Sequence, residues 1–75
     1  MKTQPKDVEL LIRHSRVLVL LGDQEKDSGK QLELYERARQ QAEAAIQLDS
    51  KNMMAYLRRA AANGKVALFK GVLQA

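Results

Sequence analysis

Residues 45–56 read AIQLDSKNMMAY, and this stretch decides the fold because it contains both a helix end and a helix start. An alanine-rich helical segment ends at Leu48, the polar residues DSKN interrupt it, and apolar residues at helical spacing resume at Met53. Three residues of the interruption are types that commonly cap helix N-termini: Asp49, Ser50 and Asn52. The stretch therefore predicts a joint between two helices.

The chain is short, and its composition lacks the usual reinforcements of small proteins. Its 75 residues include no cysteine and one histidine, which excludes a disulfide and argues against a structural zinc site. A chain of this size buries only roughly 60 to 65% of the surface that its unfolded form exposes. We therefore expect association with another chain to add stability.

Helix-forming residues dominate the rest of the sequence and predict a single all-α domain over residues 1–75. We expect three antiparallel helices, at about residues 5–21, 28–48 and 52–74. Pro5 suits a first helical position, and Gly22 is expected to end the first helix. Ser28 and Gln31 have the spacing of a capping box at the start of the second helix.

Each expected helix has an apolar face at helical spacing. In the first helix it comprises Val8, Leu11, Ile12, Ser15, Leu18 and Val19. In the second helix it comprises Leu34, Tyr35, Ala38, Ala42, Ala45 and Ile46. In the third helix the broadest such face comprises Met53, Tyr56, Leu57, Ala60, Ala61, Gly64, Ala67, Leu68, Gly71 and Val72. The small residues on the second and third helices predict close approach of a neighbouring helix.

Residues 35–62, YERARQQAEAAIQLDSKNMMAYLRRAAA, resemble the boundary between two tetratricopeptide (TPR) repeats. Five residues stand where the second helix of such a repeat ends: Ala38, Ala45, Ile46, Leu48 and Asp49. Three more fit the opening of the next repeat: Ala55, Tyr56 and Ala60. The resemblance implies a helical hairpin followed by one further helix, and a role in protein binding.

The sequence departs from the standard repeat at several positions. Ser50 replaces a common proline, Arg59 occupies a slot that is usually apolar, and Ala42 stands where a larger residue is typical. The segment between Asp23 and Tyr35 is about ten residues longer than a standard repeat allows. This spacing is more similar to the divergent, long-looped repeats of the TRAP-transporter T-component and of regulator-of-microtubule-dynamics proteins. The chain would span about one and a half such repeats.

Two further apolar stripes fall away from these main faces. On the first helix the stripe is Leu10, Val17 and Leu21, and on the third it is Val66, Phe69 and Leu73. Because solenoid repeats bury their faces only against neighbours, we expect these stripes to be covered. Another copy of the chain, forming a homo-oligomer, and further helices of a longer repeat protein are both consistent with the pattern.

Positive charge is concentrated after Asp49, where no acidic residue follows, in a chain of net charge +4. The candidate partner-binding residues on this segment are Lys51, Tyr56, Arg58, Arg59, Lys65 and Lys70. A solvated helix face is one interpretation, and a surface for an acidic or extended peptide is another. A nucleic-acid interface ranks last, because Phe69 is the only aromatic residue clearly placed among the basic ones.

The remaining candidates favour a non-catalytic protein. His14 has no acidic residue three or four positions away and no second histidine, so we expect a partly buried packing residue. One of Met53 and Met54 is expected in the core. We predict no catalytic residues, no metal and no cofactor. The short apolar run VLVLL is neither a signal peptide nor a membrane span, so we expect a soluble, cytoplasmic protein.

Overall fold

Three helices account for the structure, a computed structural model that describes the backbone of residues 5–74 and the side chains of residues 7–71. They are α1 (Pro5–Gln24), α2 (Ser28–Leu48) and α3 (Met53–Gln74). No strand occurs in the described part of the chain, so the predicted all-α fold is confirmed.

The central helix of the fold is α2. It packs along its length against both α1 and α3, whereas α1 and α3 contact each other only over a short stretch. Four residues of its predicted inner face are buried: Tyr35, Ala38, Ala42 and Ala45. Because three of these are alanines, two helices can approach the same helix closely. The predicted inner face of α2 is therefore confirmed.

The core consists of two clusters along α2. The first cluster lies close to the joint between α2 and α3. There Val8, near the start of α1, contacts Ala45 near the end of α2 and Ala55 near the start of α3. The other cluster joins the three helices through Leu18, Ala38 and Ala62. Both clusters are consistent with antiparallel α1–α2 and α2–α3 pairs. The apolar face predicted for α1 is confirmed.

Ser15 is a buried polar residue of this core. Its side chain has no exposed surface, and its hydroxyl donates a 2.7 Å hydrogen bond to the backbone carbonyl of Ala38. A buried hydroxyl without a partner would be destabilising, so this bond explains how α1 accommodates a serine there.

The prediction that Gly22 ends α1 is wrong, because α1 continues to Gln24. Gly22 is buried against the ring of Tyr35. A Cβ atom at position 22 would lie 2.6 Å from Cε1 and 2.8 Å from Cδ1 of that ring. The glycine therefore serves a close helix–helix contact rather than a helix end.

The start of α2 also differs from the predicted capping box. Asp27, not Ser28, is the N-cap residue, and its carboxylate accepts a 3.0 Å hydrogen bond from the backbone N–H of Lys30. The side-chain amide of Gln31 donates to the backbone carbonyl of Gly22 at 2.8 Å. Gln31 thus joins α2 to α1 instead of closing a box with Ser28.

The joint between α2 and α3 has the predicted position. Asn52 caps α3, since its side-chain oxygen accepts a 3.2 Å hydrogen bond from the backbone N–H of Ala55. Within the joint, the carboxylate of Asp49 accepts a hydrogen bond from the backbone N–H of Lys51 at 3.3 Å. The side chains of the DSKN segment therefore satisfy backbone donors that the break between the helices leaves free.

The inner face predicted for α3 is wrong. Instead, α3 buries a narrower face composed of Ala55, Ala62 and Val66. The predicted residues are exposed over the described part of the helix: Met53, Tyr56, Leu57, Ala60, Ala61, Gly64, Ala67, Leu68 and Gly71; the side chain of Val72 lies outside the described residues. Three basic residues that flank the buried face are half-buried: Arg58, Arg59 and Lys65. Long basic side chains can cover apolar surface with their aliphatic stems, which hydropathy patterns do not take into account.

Candidate functional site

An open groove lies between α1 and α3. Its volume is about 450 Å³. It is lined by Glu9, Ile12, Arg13, Arg16, Asn52, Met54 and Arg58. We call this feature the α1–α3 groove. It exists because α2 holds the two outer helices while they contact each other only over a short stretch.

Helical spacing brings the lining residues together. On α1, Glu9, Arg13 and Arg16 are separated by four and three positions, so they share one side of the helix. Across the groove, Met54 and Arg58 occupy equivalent positions one turn apart in the first part of α3. The groove therefore presents side chains from two helices whose backbones are fixed by the core.

The groove is electropositive. Arg13 donates to the carboxylate of Glu9 at 2.6 Å, which leaves Arg16 and Arg58 in excess. Among the described residues, no carboxylate lies within 4.0 Å of either guanidinium, and the buried Nε atom of Arg58 has no hydrogen-bond partner. Guanidinium groups remain charged at any physiological pH and bind carboxylates or phosphates through paired hydrogen bonds. This arrangement can bind an anionic group.

Of the six predicted partner-binding residues, only Arg58 lines this groove. Tyr56 donates its hydroxyl to the backbone carbonyl of Ser50 at 2.9 Å, and the guanidinium of Arg59 lies 5.3 Å from the centre of the Tyr56 ring. Two others are exposed outside the groove lining: Lys51 and Lys70. The structure therefore does not bring the six residues into one surface.

The sixth residue, Lys65, belongs to a cluster at the opposite end of the fold. Its ammonium lies 2.9 Å from the carboxylate of Asp23 and 5.9 Å from the centre of the Tyr35 ring. The Tyr35 hydroxyl donates to Asp23 at 2.5 Å and accepts from Gln31 at 3.3 Å. We call Gly22, Asp23, Gln31, Tyr35 and Lys65 the Tyr35 cluster. Lys65 therefore links α3 to the end of α1 through an ion pair.

Two pKa values are perturbed in the Tyr35 cluster. The hydrogen bond from Tyr35, with a further contribution from Lys65, holds the pKa of Asp23 below its usual value. Burial, together with the hydrogen bond to Asp23, raises the pKa of Tyr35 to about 12. The neutral phenol and the ionised carboxylate stabilise each other. Both shifts are explained by the structural role of the cluster.

The apolar stripe predicted on α1 is exposed. Its members are Leu10, Val17 and Leu21, with Leu10 60% exposed. The corresponding prediction for α3 is wrong at Val66, which is only 6% exposed because α3 turns that face toward the fold. Phe69 is half-buried on the same side, and the side chain of Leu73 lies outside the described residues.

Two smaller expectations are also wrong. His14 is exposed rather than partly buried. Met53 and Met54 are both exposed, and Met54 lines the groove.

Over the described residues, no three His, Cys, Asp or Glu side chains are grouped closely enough to hold a metal ion. None of the described helices is both long and apolar enough to cross a bilayer.

Arg13 and Arg16 are the basic groove residues that sequence reasoning missed. Their only signal is the three-residue spacing, which places both beside Ile12 on one flank of α1. Recognising them requires knowing which flank of α1 faces α3. Helical periodicity identifies the buried side of a helix but does not distinguish its two edges.

The chain belongs to the regulator of microtubule dynamics protein 1-3 family, whose model matches residues 1–74. No curated protein matches the chain, and no solved structure does. Family membership agrees with the looser of the two resemblances in the sequence. At a coarse level it suggests a role in protein interaction.

Proposed function

We propose that this member of the regulator of microtubule dynamics family is a non-catalytic protein-interaction module that holds an acidic, extended segment of a partner in the α1–α3 groove. A TPR-like classification is part of the proposal. It is supported by the resemblance of residues 35–62 and by the order of a hairpin followed by one further helix. The family supports protein interaction only in general terms.

The observation that carries the proposal is the convergence of three guanidinium groups on a groove with one carboxylate. Arg13 and Arg16 come from α1 and Arg58 from α3, and Glu9 neutralises only one of them. A partner carboxylate placed there would have two charged donors available. Since charge-assisted hydrogen bonds are roughly twice as strong as neutral ones, an acidic segment is favoured over a neutral one.

Fluorescence anisotropy with two labelled twelve-residue peptides tests the groove. One peptide is rich in Asp and Glu, and the other carries Asn and Gln at the same positions. We expect the acidic peptide to bind at least tenfold more tightly, and Arg16→Glu to remove that preference, because the substitution reverses one groove charge. Arg37→Glu on α2 is the matched control, since it reverses the charge of an exposed arginine that pairs with Glu33 outside the groove.

The proposal fails if both peptides bind equally, or if Arg16→Glu leaves the preference intact. A single-stranded oligonucleotide serves as a third probe. If it binds more tightly than the acidic peptide, with an affinity that falls steeply as salt rises, the groove recognises nucleic-acid phosphates instead.

Self-association through α1 is a second proposed role, supported by the exposed stripe of Leu10, Val17 and Leu21. Exposed apolar side chains that lie in one line on a helix are typical of helix–helix interfaces. Sedimentation equilibrium over a concentration series tests it. We expect an oligomer that Val17→Glu dissociates and that Leu68→Glu, an equally drastic change on α3, does not. A folded monomer at all concentrations contradicts this role.

A further inference from the structure

The face of α3 that points away from α1 and α2 is apolar along its described length. It comprises Met53, Leu57, Ala60, Ala61, Gly64, Ala67, Leu68 and Gly71, and we call it the outer face of α3. The three large side chains are 74%, 54% and 70% exposed at Met53, Leu57 and Leu68. At 1.5 Å per residue the face is about 27 Å long. Its composition is that of a helix face packed against another helix, yet nothing in the described chain covers it.

Two glycines give the outer face a distinctive shape. Gly64 and Gly71 lie seven positions apart on the same line of the helix, and a Cβ at either one would meet no described atom within 4 Å apart from the adjacent backbone of α3 itself. Glycine is a poor residue for a helix interior, and no contact within the described chain requires it at these positions. Gly64 lies between the bulkier Leu57 and Leu68 along the helix, and we call this low point the channel, because a neighbouring helix could approach the backbone of α3 closely there.

The charges of α3 restrict the occupant of this channel. The charged residues of the helix are all basic: Arg58, Arg59, Lys65 and Lys70. Arg59 and Lys70 lie along one edge of the outer face, and Lys65 lies along the other, where Asp23 already pairs with it. An acidic edge on the occupant would complement Arg59 and Lys70. A second copy of α3 would instead bring two sets of basic residues together.

We propose that the outer face of α3 docks an amphipathic helix of a different polypeptide, which carries an apolar stripe bordered by acidic residues. The small residues favour this occupant over an anionic membrane surface. Helices that lie in a membrane interface use large apolar side chains, whereas Ala60, Ala61, Gly64, Ala67 and Gly71 offer little area to insert. This docking surface is separate from the α1–α3 groove.

Two synthetic 21-residue helical peptides test the proposal. They share one stripe of Leu and Ala, which is bordered by Glu in the first peptide and by Lys in the second. Fluorescence anisotropy is expected to give at least tenfold tighter binding for the Glu-bordered peptide. Gly64→Leu should weaken that binding at least tenfold, because the new side chain fills the channel. The same substitution should raise the melting temperature of the free chain, since leucine is the better helix former and meets open space.

Arg37→Glu, at an exposed residue of α2 outside both surfaces, is the control, and it should leave the affinity for the Glu-bordered peptide unchanged. If Arg16→Glu removes the binding while Gly64→Leu does not, the peptide occupies the groove and the proposal is wrong. Equal affinity for both peptides, or no binding of either, also overturns it. Two further results would do the same: tighter binding to phosphatidylserine vesicles than to the peptide, and a homodimer that Gly64→Leu dissociates.

Discussion

Two glycines inside helices, Gly22 in α1 and Gly64 in α3, have opposite surroundings. A Cβ at Gly22 would lie 2.6 Å from the Tyr35 ring, whereas at Gly64 it would meet nothing within 4 Å. Gly22 is explained by a contact that the chain makes with itself. Gly64 has no such explanation within the described chain. The comparison teaches that the Tyr35 cluster is complete in one chain, while the outer face of α3 is not.

The largest expected difference between the two regions comes from truncating one large side chain in each. Tyr35→Ala should lower the free energy of unfolding by about 3–5 kcal/mol, the range for buried aromatic residues, because Tyr35 is only 5% exposed. Leu68→Ala, at a residue 70% exposed, should change it by less than about 0.5 kcal/mol. Urea denaturation measures both changes. Similar losses for the two variants would contradict the comparison.

The glycines themselves should respond with opposite signs. Gly22→Ala forces a methyl group against a ring whose hydroxyl is held by Asp23 and Gln31. Allowing for the helix propensity gained, we expect a net destabilisation of about 1–2 kcal/mol. Gly64→Ala should stabilise the chain by about 0.5–1 kcal/mol. Thermal melts followed by circular dichroism would show this, and a stabilising Gly22→Ala would refute the close contact.

The charges of the Tyr35 cluster predict a smaller, pH-dependent effect. Because the pKa of Asp23 is lowered in the folded chain, its contribution is present above pH 3.8, the ordinary value, and is lost as the pH falls below it. Because the ion pair between Asp23 and Lys65 is partly exposed, its contribution to the free energy of unfolding should stay below about 1 kcal/mol. Urea midpoints of the parent chain and Asp23→Asn should therefore differ at pH 6 and converge toward pH 3. Glu33→Gln, which removes an exposed ion pair on α2, is the control.

The smallest expected effect is a shift in the titration of Tyr35, which absorbance spectroscopy can follow. Tyr56→Phe leaves Tyr35 as the single tyrosine, so the absorbance of tyrosinate reports on that residue alone. We expect a midpoint near 12 in the folded chain, against about 10 in urea. Any stability that this group contributes is complete below pH 10 and is lost between pH 10 and pH 12. A midpoint near 10 while the helices remain intact would contradict the burial of Tyr35 and its hydrogen bond to Asp23.

The sequence was sufficient to predict the buried faces of α1 and α2, because each helix has one dominant apolar face. Their buried faces, from Val8 to Leu18 and from Tyr35 to Ala45, follow the helical period directly. In α3 two faces compete, and the broader one contains Met53 and Leu57. The structure buries the narrower face instead, with basic side chains at its borders. Hydropathy cannot make this choice, because it counts a lysine or arginine as polar along its whole length.

The candidate groove was predictable only in part. Arg58 was identified from the basic character of α3, but Arg13 and Arg16 were not. Their role depends on which edge of α1 faces α3, and that edge is fixed by the way both helices pack on α2. Lys65 was also chosen for its charge alone, and no pattern in the sequence indicated that it pairs with Asp23 of α1.

The central position of α2 has a consequence for how the chain folds. Since α1 and α3 contact each other little, most of the contacts between helices join neighbours in the sequence. Closing such contacts requires only short loops, and the loss of chain entropy on closing a loop grows with its length. Helical proteins with this local topology fold in microseconds to milliseconds. The chain should therefore fold rapidly, and the outer face of α3 should be formed before any partner reaches it.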